Sequence, residues 1–317
     1  MNFSSGSNVT TFVTYHDAFY MAVTKNVIVV ALFITINYFN GTLIHTFKKH
    51  QIFNVNPRYV LFIHLVVNDM IQLTVSVTLF ISSYVFYTIN VSICCLLIIP
   101  AMITTQNTPL YLAGMAAECY IAICLPLRHA QLCTVKRTYI LIGLIWFVSL
   151  SSTLPDLFIL LATEPLEFFY SRILCIKDIL FQRPYFHEKT NTSYIVLLVI
   201  VWLTLLYIYL RILFAAKAAK GDARKARNTI LLHGFQLLLC MLTYIGPVLK
   251  RALFYWFPKN YFNSLFVCYI IIQILPRFLS PIVYGLRDQT FRRYLKRYLL
   301  CTVSARTNPQ IALKGHT

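Results

Sequence analysis

The sequence predicts an all-α membrane protein: a seven-transmembrane helix bundle followed by a short amphipathic helix on the cytoplasmic side. Three observations carry that class. Hydrophobic residues make up 58% of the 317 residues and charged ones only 12%, where soluble domains carry about 25% charged. The mean hydropathy of +0.67 is too high for every apolar side chain to hide in one water-bounded core. The apolar residues fall in runs of roughly 20 or more, each long enough to cross about 30 Å of hydrocarbon as a helix.

The runs fall in order at residues 25–47, 58–83, 91–124, 139–161, 193–214, 226–249 and 262–284. They divide the chain into an N-terminal tail over 1–24, a bundle over 25–286 and a C-terminal part over 287–317. Residues 287–300 alternate basic side chains with Phe291, Tyr294, Leu295, Tyr298 and Leu299 at helical spacing. That pattern suits a helix lying on the anionic inner leaflet. No internal repeat is visible, which argues against a transporter built from inverted halves.

A net charge of +18 would suit a nucleic-acid partner if it were clustered on one face, but it is distributed by loop. Lys48, Lys49 and Arg58 form one group, and Arg128, Lys136 and Arg137 the next. Arg211 through Arg227 make a third and Arg287 through Arg297 a fourth. The loops between are poor in charge or mixed. This alternation places the four basic regions in the cytoplasm and the N-terminus outside, at the plasma membrane. The partner it implies is a lipid bilayer, with no nucleic acid. Residues 1–24 lack the basic n-region and short apolar core of a cleavable signal. Glycosylation sequons at Asn2, Asn8 and Asn191 all fall on the outer side.

Cys94 and Cys95 open the third segment at the outer face, and Cys175 is the one cysteine of the long outer loop over 162–192. Oxidising chemistry there allows Cys175 to pair with either. Cys301, just past the amphipathic stretch, is a candidate palmitoylation site.

The third segment closes as Met115-Ala-Ala-Glu118-Cys119-Tyr120-Ile-Ala-Ile-Cys124-Leu-Pro126-Leu127. This resembles the inner end of the third helix of odorant receptors, a family of seven-helix G-protein-coupled receptors that usually reads Met-Ala-Tyr-Asp-Arg-Tyr-Val-Ala-Ile-Cys-x-Pro-Leu. Cys119 stands where the arginine belongs. Two further stretches are similar to the family. Lys225-Ala-Arg-Asn-Thr229-Ile-Leu-Leu-His233 opens segment six, and Ser280-Pro281-Ile-Val-Tyr284-Gly-Leu-Arg287 closes segment seven, with Ser280 in place of an asparagine. The family's Phe-Tyr-Gly triplet in segment six is absent, the chain reading Cys240-Met241-Leu242 there. Asn56-Pro-Arg-Tyr59, together with Pro276-Arg-Phe-Leu-Ser-Pro281, looks like the fish receptors in particular.

The resemblance implies a receptor that binds a small, water-borne odorant and activates a heterotrimeric G protein by helix rearrangement, with no cofactor and no metal. It favours Cys94 as the partner of Cys175. It implies an activation cluster of Asn40, Asp69 and the polar group before Pro281. It makes Tyr207 the tyrosine that swings inward and Arg128 and Lys225 contacts for the G protein. The family's arginine pairs with the preceding acid at rest and meets the G protein when active, and Cys119 does neither. Glu118 is left to pair with Arg128 or a neighbouring loop base.

Ionisable groups inside a span are costly and ask for partners. Arg277 lies one turn before Pro281, and a charge-assisted pair with Asp69 is expected, taking the place of a sodium ion. The ligand is expected among Met102, Thr105 and Gln106 on segment three, Tyr244 on six and Gln273 on seven, a mostly apolar pocket with a few hydrogen-bonding groups. By the same resemblance Ala101 stands where amine receptors place an aspartate, against an aminergic ligand. No enzyme is indicated, since Glu118, Asp69 and His233 lie at different depths and no zinc or nucleophile spacing occurs. A channel or transporter would want more ionisable groups converging at mid-membrane than Asp69 and Arg277.

Overall fold

The computed structural model of the chain describes residues 19–181, 184–218 and 261–279, with isolated positions between 235 and 257; for part of 184–218 only the backbone is described. Helix α1 spans Phe19–Lys49, a short α2 spans Gln51–Asn54, and α3 runs over Pro57–Val85. Strand β1 (Ile89–Asn90) leads into α4 (Val91–Cys124), followed by α5 (Pro126–Leu132) and α6 (Val135–Thr163). A short α7 (Leu166–Tyr170), β2 (Arg172–Ile173) and α8 (Lys177–Leu180) then precede α9 (Pro184–Ala218). Finally α10 (Tyr261–Tyr269) passes into a π-helical turn at Ile270–Ile274 and on to residue 279.

Helices α1, α3, α4 and α6 are long and apolar enough to cross a membrane, and shorter apolar stretches run over Ile195–Arg211 and Asn263–Leu279. The third segment keeps its expected ends. The first, second, fourth and fifth extend past theirs, because a helix that leaves hydrocarbon still satisfies its own backbone polar groups by continuing. Helix α9 starts at Pro184, nine residues before the expected 193. Asn191 therefore lies in a helix rather than in the loop expected for it. Most of segment six, the amphipathic stretch 287–300 and the tail carrying Cys301 lie outside the described residues, as do Asn2 and Asn8.

Local chemistry sets the helix starts. Asn56 accepts the Arg58 N–H at 3.1 Å, with Pro57 at the first helical position, where its missing N–H costs nothing. Asn90 accepts from Ser92 at 3.0 Å and Thr134 from Arg137 at 3.4 Å.

Helix α4 is the axis of the bundle and packs against α3, α6 and α9. Its 34 residues span about 51 Å, more than the hydrocarbon alone requires. Around its middle Met102, Ile103, Thr104, Gln106, Asn107 and Thr108 are all buried, as a helix surrounded by others must be. Helix α6 has two faces instead. Ile142, Ile145, Ser149, Thr153, Asp156 and Leu160, at steps of three and four, turn inward. Ile140, Leu144, Phe147 and Val148 turn outward to where lipid lies. The helices come close at Gly114, where an added Cβ would stand 3.2 Å from Leu141 Cδ2.

Buried Tyr111 ties α4 to α6, its hydroxyl accepting the Trp146 indole N–H at 3.0 Å. Trp146→Phe keeps an aromatic ring of smaller size and removes the donor. It is expected to cost about 1–3 kcal/mol, read as a lower melting temperature in detergent; an unchanged melt would show that Tyr111 finds another partner.

Candidate functional site

At the outer end, as the charge pattern assigns it, the loop after α6 folds back over the bundle. Strands β1 and β2 pair antiparallel, Ile89 opposite Ile173 and Asn90 opposite Arg172. Cys94 is bonded to Cys175, as the family resemblance implied, and Cys95 is buried outside any disulfide. The bridge brings Leu180 and Phe181 of the loop into one apolar cluster with Ile98, Met102 and Leu160. Met102, expected to touch ligand, thus lies directly under the loop. Gln106, also buried, donates to Ser152 on α6 at 3.4 Å, and Thr105 accepts from Gln72 on α3 at 2.7 Å. Gln273 is half-buried in the π-helical turn. Tyr244 lies outside the described residues. An open depression of about 430 Å³ is lined by Leu253, Asn263, Ser264, Val267 and Cys268. Among the described residues, Met102, Thr105, Gln106 and Gln273 are not in its lining.

Two loop and helix charges at this end were not anticipated from the sequence. Asp156 on α6 is buried beside Pro155, and Lys177 follows the disulfide by two residues. Burial pushes the Lys177 ammonium below its ordinary value, and the carboxylates of Asp178 and Asp156 oppose that shift.

Deeper in the bundle, α3 and α4 meet through amides. Asn68 donates to the Thr104 carbonyl at 3.0 Å and to the Thr108 hydroxyl at 3.1 Å. Asn107 donates back to Asn68 Oδ1 at 3.1 Å. Asp69 is buried next to this network, and Asn40 on α1 is completely buried. Among the described residues, neither Asn40 amide atom, nor Gln72 Oε1, nor Asn107 Oδ1 has a hydrogen-bond partner. Buried amides left without partners are costly. The signal for Asn68, Gln72 and Asn107 was in the sequence, as polar residues inside apolar runs at steps of three and four.

In the last segment, Arg277 is 4% exposed. Pro276 has no N–H to offer the Ile272 carbonyl four residues earlier. Arg277 Nη1 supplies the missing donor, bonding Ile272 O at 2.9 Å and Gln273 O at 2.8 Å. Both bonds run back along its own helix rather than across to Asp69. The guanidinium thereby patches the break that the proline and the π-helical turn leave. Arg277→Leu is expected to leave the Ile272 carbonyl without its donor in hydrocarbon and to lower stability by about 1–3 kcal/mol. Arg277→Lys should recover part of that loss, and a melting temperature equal to wild type in the leucine variant would refute the patch. Ser280, Pro281 and Tyr284 lie outside the described residues.

At the inner end, Glu118 and Cys119 are both buried. The Glu118 carboxylate meets His129 Nε2 of α5 at 3.2 Å, with side chains 9% and 31% exposed. Arg128, one of the bases expected to serve Glu118, is exposed; the neighbouring histidine takes the acid. Burial and the Glu118 charge push the Cys133 thiol above its ordinary value while Arg137 opposes them, so carboxylate, thiol and guanidinium share one locale. Tyr120 and Tyr207 lie with ring centroids 6.3 Å apart. Arg211, one turn after Tyr207, sits over the Tyr207 ring at 6.0 Å. Lys225 lies outside the described residues.

Residues 39–284 match the 7 transmembrane receptor (rhodopsin family). The chain is 33% identical over 289 residues to odorant receptor 131-2 of Danio rerio, covering 84% of this chain and 83% of that protein. It is 26% identical over 228 residues to a QRFP-like peptide receptor of Branchiostoma floridae, covering 66% of this chain and 59% of that one.

Proposed function

Because the chain belongs to the rhodopsin family of seven-transmembrane receptors, we propose that it is an odorant receptor that couples a small, water-borne ligand to a heterotrimeric G protein. The single observation that carries this is the 33% identity to an odorant receptor across most of both chains. The N-terminus then lies outside and the basic loops inside. The ligand enters the outer half of the bundle beneath the disulfide-pinned loop, near Met102, Thr105, Gln106, Tyr244 and Gln273. It binds the active arrangement better than the resting one and shifts the population toward it. The inner ends of the helices then separate to admit the G protein.

At rest, the inner end is held by Glu118 and His129 rather than by an arginine at position 119. Asn40, Asp69, Ser280, Pro281 and Tyr284 form the hydrated switch between the ends. Asp69 and Arg277 pair, the guanidinium taking the place of a sodium ion, a role that a normally coupling, normally expressed Asp69→Asn variant would remove. Carbohydrate at Asn2, Asn8 and Asn191 and an acyl chain at Cys301 complete this reading.

A second reading follows from Cys119 alone: a receptor of this shape whose own signalling runs by another route. Cyclic AMP measured in cells displaying the chain separates the two. A rise on addition of a water-soluble odorant, from a panel of amino acids, bile acids and steroids, supports coupling without the usual arginine. A rise only in Cys119→Arg supports the second reading.

A further inference from the structure

The inner end carries a further cation on the fifth segment. Arg211 lies on α9, and its side chain is exposed. The guanidinium sits over the Tyr207 ring at 6.0 Å. The Tyr207 ring in turn lies against Tyr120 of α4, the residue that follows Cys119. The guanidinium is thus seated on one tyrosine whose ring packs 6.3 Å from that of Tyr120, at the inner end of α4.

We propose that Arg211 is the docking cation of this receptor: the group that meets the G protein at the place where position 119 supplies none. The proposal rests on the coupling reading above and deepens it. A guanidinium seated on tyrosine is pre-organised, so holding it against a partner costs less entropy than ordering a free side chain. Arginine and tyrosine are also the residues that dominate the energetics of protein interfaces. The complementary partner is a segment that offers carbonyl or carboxylate oxygens in a fork, as the last turn of a helix does with its unsatisfied carbonyls and negative dipole end. Glu118 is occupied by His129, so the nearby carboxylate does not claim Arg211. The two tasks of one arginine are divided between two residues on two elements, His129 on α5 and Arg211 on α9.

The test captures purified heterotrimeric G protein, with nucleotide removed, on the full chain held in lipid nanodiscs, and reads the apparent Kd. Arg211→Gln is expected to weaken capture about tenfold and to flatten its salt dependence. Arg211→Lys should fall between the two, since it keeps the charge and loses the fork. Adding Cys119→Arg to Arg211→Gln should restore capture, because the new guanidinium enters the same locale. Capture by Arg211→Gln equal to wild type overturns the proposal. Loss without recovery in the double variant also overturns it, since Arg211 then acts through the fold of α9 and not as the docking cation. Wild-type discs that capture no G protein overturn the coupling reading itself, and this inference with it.

Discussion

His129→Ala is expected to raise ligand-free signalling about tenfold, measured as basal cyclic AMP normalised to surface receptor. The 3.2 Å contact between His129 and Glu118 joins α5 to the end of α4 at the point where the family motif lacks its arginine. Hydrogen bonds to charged groups are worth about 1.5–3 kcal/mol. With the imidazole about a third exposed, the lower end applies, which is a factor of about ten in the balance between resting and active states. Glu118→Gln should give a similar rise. The double variant should add little to either alone, because both changes remove one interaction. Gln131→Ala, at an exposed position of the same short helix, should leave basal signalling near wild type. Additive effects of the two single variants, or a basal signal unmoved by either, would show that this contact does not hold the resting state.

Cys175→Ser is expected to be the most destabilising single change in the outer half. The bridge to Cys94 spans 81 residues of sequence, and a loop of that length is constrained in the unfolded chain by up to about 4 kcal/mol. Helices that persist in lipid after unfolding reduce that figure, so about 2–4 kcal/mol is expected, or a melting temperature lower by roughly 5–10 °C. The consequence for function is local. Without the bridge, Leu180 and Phe181 lose the tether that seats them on Ile98, Met102 and Leu160. Odorant responses should therefore fall further than surface expression does. Cys94→Ser should match Cys175→Ser, and Cys95→Ser should change little, since Cys95 lies outside the bridge. A Cys95→Ser variant as damaged as the other two would mean that the bond exchanges between neighbours.

The sequence fully determined the kind of molecule. Long apolar runs in water-poor surroundings have one solution, the helix that satisfies its own backbone. The third segment accordingly kept both expected ends, Val91 and Cys124. Where segments were misjudged, as at the start of α9, the error lay in the headgroup zone, where hydropathy falls but helical hydrogen bonding continues. Motifs at the ends of segments three, six and seven were enough to point to the receptor family, because they are short and contiguous. The disulfide was legible only as a choice between Cys94 and Cys95 until the family resemblance favoured one.

Only the tertiary structure decided which groups meet. Glu118 and His129 are eleven residues apart, and no spacing rule distinguishes His129 from Arg128 as the acid's partner. The packed helix settles it: His129 reaches Glu118 while Arg128 is exposed. Arg277 looked like the partner of Asp69 because both are charges in an apolar run. In the structure its Nη1 bonds the Ile272 carbonyl that Pro276 leaves open, a demand invisible without the π-helical turn. Arg211 reads in sequence as one more cytoplasmic charge. It becomes a candidate docking cation only when α9 seats it on Tyr207 and brings that ring against Tyr120, far earlier in the chain. Local hydrogen bonding and burial are written along the chain. Pairings between helices depend on rotation and depth within the bundle, which the packing of α4 against its neighbours fixes.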